Sequence, residues 1–154
     1  MSESILRDKS KEFAKQIVVL CREIKAAHHE AVLSNQLLRS GTSIGANIHE
    51  AQYAQGTKDF ISKLEIAQKE CYETEYWLEL LFETGYMTED KYKPLKNDCG
   101  AIRRMLISSI NTSKENSIKR IGMQILGKRN TFLLPLKNSR VFLKATILSL
   151  PARE

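Results

Sequence analysis

The chain has 154 residues, 42% of them hydrophobic, and a formal net charge of +6, which bounds it to one domain with a core of its own. No apolar run approaches the roughly 20 residues of a membrane-spanning helix, and Met1 to Ser10 lacks an apolar signal core, so a cytoplasmic protein without a membrane partner is expected. The charge is lopsided: residues 117–154 carry eight basic side chains against Glu154 alone, or +7, whereas the first 116 residues carry 16 basic and 17 acidic ones, or −1.

Four helical segments precede residue 116. In the first, Phe13, Ile17, Leu20, Ile24, Ala27 and Ala31 recur at spacings of four and three, the seam of an antiparallel bundle. Ser34 is the expected N-cap of the second, which runs to about Ala54. Its apolar face is Leu37, Ile44, Ile48 and Ala51. Ser40, Gly41, Ser43, Gly45 and Asn47 strip bulk from the same helix, and each glycine costs roughly 1 kcal/mol of helix stability relative to Ala. That cost points to a close approach by another helix. Gln55-Gly56 then supplies a stop.

The third helix is capped by Thr57, with Asp59 in its first turn where the dipole favours negative charge. Phe60, Leu64, Ala67, Cys71, Thr74, Leu78 and Leu81 form its seam, and Gly85 ends it. Glu65 with Lys69, and Lys69 with Glu73, are spaced for pairs on a solvent-leaning face. Thr88, Glu89 and Asp90 open the fourth helix, whose inner face is Tyr92, Leu95, Cys99, Ile102, Leu106 and Ser109. Pro94 predicts either a start near Lys93 or bent first turns. Short connections imply antiparallel neighbours, hence an all-α, up-down-up-down four-helix bundle over residues 1–116. Residues 117–154 form a basic C-terminal extension without sustained periodicity, either disordered or docking.

Candidate chemistry is sparse. Cys21, Cys71 and Cys99 are odd in number and widely spaced, which suggests no zinc pattern and no disulfide framework. His28, His29 and His49 accompany no Glu-x-x-His pair of the kind di-iron bundles use, so no metal or other cofactor is expected. Arg22 and His28 have the Arg-x5-His spacing of HEPN ribonucleases, a distant enzymatic alternative. Ser40, Gly41, Ser43, Gly45, Asn47, Glu50, Glu73 and Trp77 are assigned to helix packing or an oligomer contact. Ser40, Ser43 and Asn47 are expected to bond across a tight helix–helix or subunit contact, and Glu73 to bond to polar groups of the second helix. Arg103 and Arg104 are read as solvated surface. Lys119, Arg120, Lys128, Arg129, Lys137 and Arg140 are the candidate nucleic-acid contacts.

The run Gln36-Leu37-Leu38-Arg39-Ser40-Gly41-Thr42-Ser43-Ile44-Gly45-Ala46-Asn47-Ile48-His49-Glu50-Ala51 resembles the signature of the intervening-sequence protein family of bacterial large-subunit ribosomal RNA. That family also includes the accessory variability determinant of diversity-generating retroelements. Asp59-Phe60-Ile61-Ser62-Lys63-Leu64 and Glu70-Cys71-Tyr72-Glu73-Thr74-Glu75-Tyr76-Trp77-Leu78 are similar to the family's third helix. The resemblance covers roughly Ser10 to Lys114. It implies a non-enzymatic bacterial bundle that assembles into a homo-oligomeric ring, often a pentamer. The implied partners are ribosomal RNA, or a reverse transcriptase with its template RNA, and no small-molecule substrate. A protein-binding scaffold without RNA contact is the competing class. The extension after residue 116 has no counterpart in the family pattern.

Overall fold

The structure is a computed structural model that describes the backbone of residues 2–133 and the side chains of residues 5–126. It contains α1 (Ser2–His28), α2 (Val32–Ala51), α3 (Thr57–Glu83) and α4 (Glu89–Leu133). The chain divides into two compact units, Met1–Lys114 and Glu115–Glu154.

In the first unit the seams fold inward as their spacing predicts. Phe13, Ile17, Leu20 and Ile24 of α1 are buried with Leu37, Ile44 and Ile48 of α2. Leu64, Ala67, Cys71, Leu78 and Leu81 of α3 and Leu95, Cys99, Ile102 and Leu106 of α4 complete one core. Each large apolar side chain so buried contributes on the order of 1.5–3 kcal/mol. Ala27 and Ala31, assigned to the α1 seam, are exposed at its end. At the far end of the α4 seam Ile110, rather than Ser109, is the buried residue.

Cross-helix contacts establish the antiparallel register. The Cys21 thiol donates to the Ser34 carbonyl at the α1–α2 turn, while farther from it Ser10 lies opposite Gly45. Between α2 and α3 the order is Glu50 with Lys63, then Arg39 with Glu73. Between α3 and α4 it is Phe82 stacked on Tyr92, Glu75 with Arg103, and Glu65 with Lys114. Lys91 with Glu23 and Lys9 with Asp98 close α4 against α1.

Several helix ends differ from the sequence reading. Ser34 is not a cap: it is fully buried inside α2, where its hydroxyl donates to the Glu30 carbonyl at 2.6 Å. The Glu30 carboxylate caps instead, accepting from the Leu33 N–H at 2.8 Å. The helix stops at Ala51 rather than Ala54. Thr57 makes no side-chain cap, and Asp59 accepts the Gln55 N–H at 3.1 Å. Gly56 has extended backbone, so the left-handed turn lies elsewhere. It is Gly85, at φ 80°, in a Schellman ending: Tyr86 N–H bonds to Leu81 O and Gly85 N–H to Phe82 O. His29, at φ 55°, ends α1 by bonding to the Lys25 carbonyl.

α4 begins at Glu89 and carries Pro94 within it, so the later start near Lys93 is corrected. Pro94 cannot donate to the Asp90 carbonyl four residues back, which removes one bond of the second turn. Where the sequence after residue 116 carries no sustained periodicity, α4 nevertheless continues to Leu133 through Gly122 and Gly127.

The two glycines of α2 are not equivalent. A Cβ on Gly41 would lie 2.9 Å from Ile17 Cγ2, below any normal contact, whereas a Cβ on Gly45 would meet the Ser10 carbonyl oxygen at 3.5 Å. Only Gly41 is demanded by the packing. Gly45→Ala is therefore expected to stabilise the bundle by about 0.5–1 kcal/mol through helix propensity alone, seen as a higher thermal midpoint. A drop would show that Gly45 serves a contact outside this chain.

Candidate interaction ledge on the second and third helices

Beside the apolar seam, α2 carries Arg39, Ser43, Asn47 and Glu50 at spacings of four, four and three. α3 carries Lys63, Glu70, Glu73 and Trp77 at spacings of seven, three and four. Antiparallel packing sets these two polar rows side by side. Arg39 Nη2 donates to Glu73 Oε1, and Lys63 Nζ to Glu50 Oε2. Trp77 Nε1 donates to the same Glu73 oxygen at 3.3 Å, while its ring packs against the core. The carboxylate of Glu73 thus joins the two helices and orients the indole.

Glu70 lies in the same row and is less well served. Its Oε2 is buried with no hydrogen-bond partner among the described residues. Burial, then the neighbouring Glu73 charge, push its carboxyl above the ordinary glutamate range, and Arg39 opposes this. A carboxyl raised on folding binds its proton more readily in the native state, so stability falls as pH rises from the unfolded value through the folded one. Glu70→Gln removes the charge and supplies a donor beside Glu73. It is expected to raise stability by up to about 1 kcal/mol at neutral pH, and the gain should vanish in acid. Urea unfolding on both sides of the carboxylate range checks this.

The assigned packing residues separate into two groups. Ser40 is buried, and Gly41 and Gly45 face Ile17 and Ser10 of α1. Ser43, Asn47, Glu50, Glu73 and Trp77 belong to the ledge. Ser40 and Asn47 bond within α2 rather than to another helix of the chain. Ser40 donates to the Leu37 carbonyl at 3.3 Å and Asn47 to the Ser43 carbonyl at 2.9 Å, both within the helix. Glu73 finds Arg39, a residue absent from the sequence-derived set, and so is Glu70. Both share the three-and-four spacing of the ledge, a signal present in the sequence but masked by the stronger apolar seam.

Other assignments change. Arg103 is not solvated surface: it donates to Glu75 at 3.1 Å, stands over the Tyr72 ring at 5.0 Å, and is only 27% exposed. Glu65 reaches Lys114, and Glu73 reaches Arg39, rather than Lys69. Arg22 and His28 are both exposed on α1, six residues and therefore about 120° apart around the helix. His28 rests edge-on against Tyr86. No cluster of three metal-binding side chains occurs among the described residues. Lys119 and Arg120 are exposed on α4. Lys128 and Arg129 fall on its helical backbone, and Lys137 and Arg140 lie outside the described residues.

These features define an all-α bundle with a structural polar ledge and a separate helical extension. Residues 2–108 match the family of 23S rRNA-intervening sequence proteins. The chain belongs to that family. It is also similar to a crystal structure from Bacteroides thetaiotaomicron VPI-5482, described as a protein of unknown function from the S23 ribosomal protein family. The identity is 52%, the TM-score is 0.71, and the match covers 72% of this chain and 99% of that one. No curated protein matches the chain.

Proposed function

We propose that this chain is a non-enzymatic, self-associating bundle that acts in the cytoplasm as an accessory to structured RNA, with large-subunit ribosomal RNA the first candidate. The observation that carries the reading is the family match over residues 2–108, which takes in all of α1, α2 and α3 and most of the bundle's part of α4. Within the bundle, charged side chains largely pair with one another, as in Lys63–Glu50, Lys91–Glu23 and Arg103–Glu75. A depression of about 370 Å³ between α1 and α4 is lined by Val19, Leu20, Pro94 and Leu95, and its rim holds the pairs Lys15–Glu12 and Lys91–Glu23. Neither a nucleophile with a base nor a set of metal ligands converges there. The +7 extension supplies the electrostatic attraction that phosphates require. A reverse transcriptase as partner rests on the resemblance alone.

A protein scaffold is the second reading, favoured by Tyr72 and Tyr76, which are 49% and 57% exposed one turn apart on α3. Exposed tyrosines are enriched at protein interfaces.

The test is RNA binding by the full chain and by residues 1–116 across salt, with mass measured in solution. The shorter chain is a sound comparison, because 99% of a crystallised relative aligns with only 72% of this chain. Binding by the full chain alone, with a salt slope of roughly 0.7–0.9 per phosphate contact, assigns the site to the extension. Equal binding assigns it to the assembled bundle. Absence of binding by both, in an oligomer, leaves the scaffold.

A further inference from the structure

The second unit carries an apolar surface that the RNA reading does not use. On α4, Ile118, Ile121, Ile125 and Leu126 are 70%, 57%, 52% and 63% exposed. At about 100° per residue they fall within an arc of roughly 140°. Lys119 and Arg120 lie outside that arc, about 100° and 200° from Ile118, and Met123, 71% exposed, flanks it at about 140°. The sequence holds no acidic residue after Glu115 until Glu154.

We propose that this stretch of α4 lies on the surface of an anionic lipid bilayer, its isoleucine face in the acyl boundary and Lys119 and Arg120 among the headgroups. A strongly basic helix with one apolar side is the pattern of an interfacial helix. Charge selects this occupant over the others. A second copy would bring an identical segment of the same sign, and the +7 of residues 117–154 would oppose its own image. RNA accounts for the cations but gives four exposed aliphatic side chains nothing to bury against. No helix of the described residues is long and apolar enough to cross a membrane, so the helix lies along the surface. The lopsided charge of the sequence hints at a nucleic-acid or membrane-surface arm, and the apolar arc becomes evident once α4 is seen to continue past residue 116.

The test is flotation of the full chain with phosphatidylcholine vesicles, with and without phosphatidylglycerol. Variants are the double substitution Ile121→Asp with Ile125→Asp, and the pair Lys119→Gln with Arg120→Gln. All four sites are exposed, and circular dichroism verifies that the bundle remains folded. The chain is expected to float with the anionic vesicles only. The aspartates should weaken binding roughly tenfold or more, and the glutamines severalfold. Three results overturn the inference: no flotation, flotation indifferent to the aspartates, or a mass in solution that drops with the aspartates while vesicles are ignored. The second would mean simple adsorption of a basic tail, and the third a contact between copies. RNA binding is read separately with the same variants, so the failure of one reading is distinct from that of the other.

Discussion

Ile17→Ala is expected to destabilise the bundle by about 2–5 kcal/mol, the range for removing a large aliphatic side chain from a packed core. Ile17 is fully buried and its branched carbons press on the backbone of α2 at Gly41. Gly41→Ala alone places a methyl 2.9 Å from Ile17 Cγ2. Overpacking of this kind costs about 1–3 kcal/mol, reduced by the roughly 1 kcal/mol that alanine gains in helix propensity. The double variant should lose less than the two losses combined. The new methyl occupies space vacated by the isoleucine, and the clash disappears with its partner. Denaturant unfolding of all four members of the cycle checks the sign of the coupling. Strict additivity would show that the tight approach is not where stability resides.

Glu75→Ala is expected to cost about 1–2 kcal/mol, below the 3–5 kcal/mol for a fully buried pair. The discount follows from residual exposure, 27% for the Arg103 side chain and 21% for Glu75. Without the carboxylate, Arg103 retains the Tyr72 face but loses its acceptor at 3.1 Å. Glu75→Gln keeps an acceptor and should recover part of the loss. Thermal unfolding of both variants separates the charge from the hydrogen bond. If the loss for Glu75→Ala were no greater than for an exposed pair such as Lys93–Glu89, the pair would be mere surface decoration.

The bundle was legible because its apolar seams are long and regular. Phe13 to Ile24 and Leu64 to Leu81 announce their buried faces by spacing alone, and short connections leave one antiparallel order. Helix ends were less legible. Ser34 looks like a cap because serine favours caps, yet its hydroxyl can also be satisfied within the helix by the Glu30 carbonyl. Glutamate three residues before Leu33 then does the capping. Of the ledge, Ser43, Asn47, Glu50, Glu73 and Trp77 are in the sequence-based set, but Arg39, Lys63 and Glu70 are not. The spacing places Arg39 and Glu73 each on a polar row, but the pairing of two residues 34 apart is set by the antiparallel packing. Gly41 and Gly45 read alike in sequence, and only the position of Ile17 distinguishes them. The continuation of α4 was hidden by Gly122 and Gly127, which argue for a break that the backbone does not make.

The three cysteines are all reduced and buried. Burial pushes the Cys21 thiol up to about 11, only partly offset by Lys25, and Cys99 is driven up by the adjacent Cys71 and by burial. Thiolate is the reactive form, so alkylation of the folded chain is expected to wait for the helices to part. Cys21 sits at the α1–α2 turn, and Cys71 and Cys99 meet in the middle of the α3–α4 pair. Pulsed labelling read by mass spectrometry would thus time two different opening events. Cys21 should react first, through fraying near the turn, and the central pair should react at the rate of global unfolding.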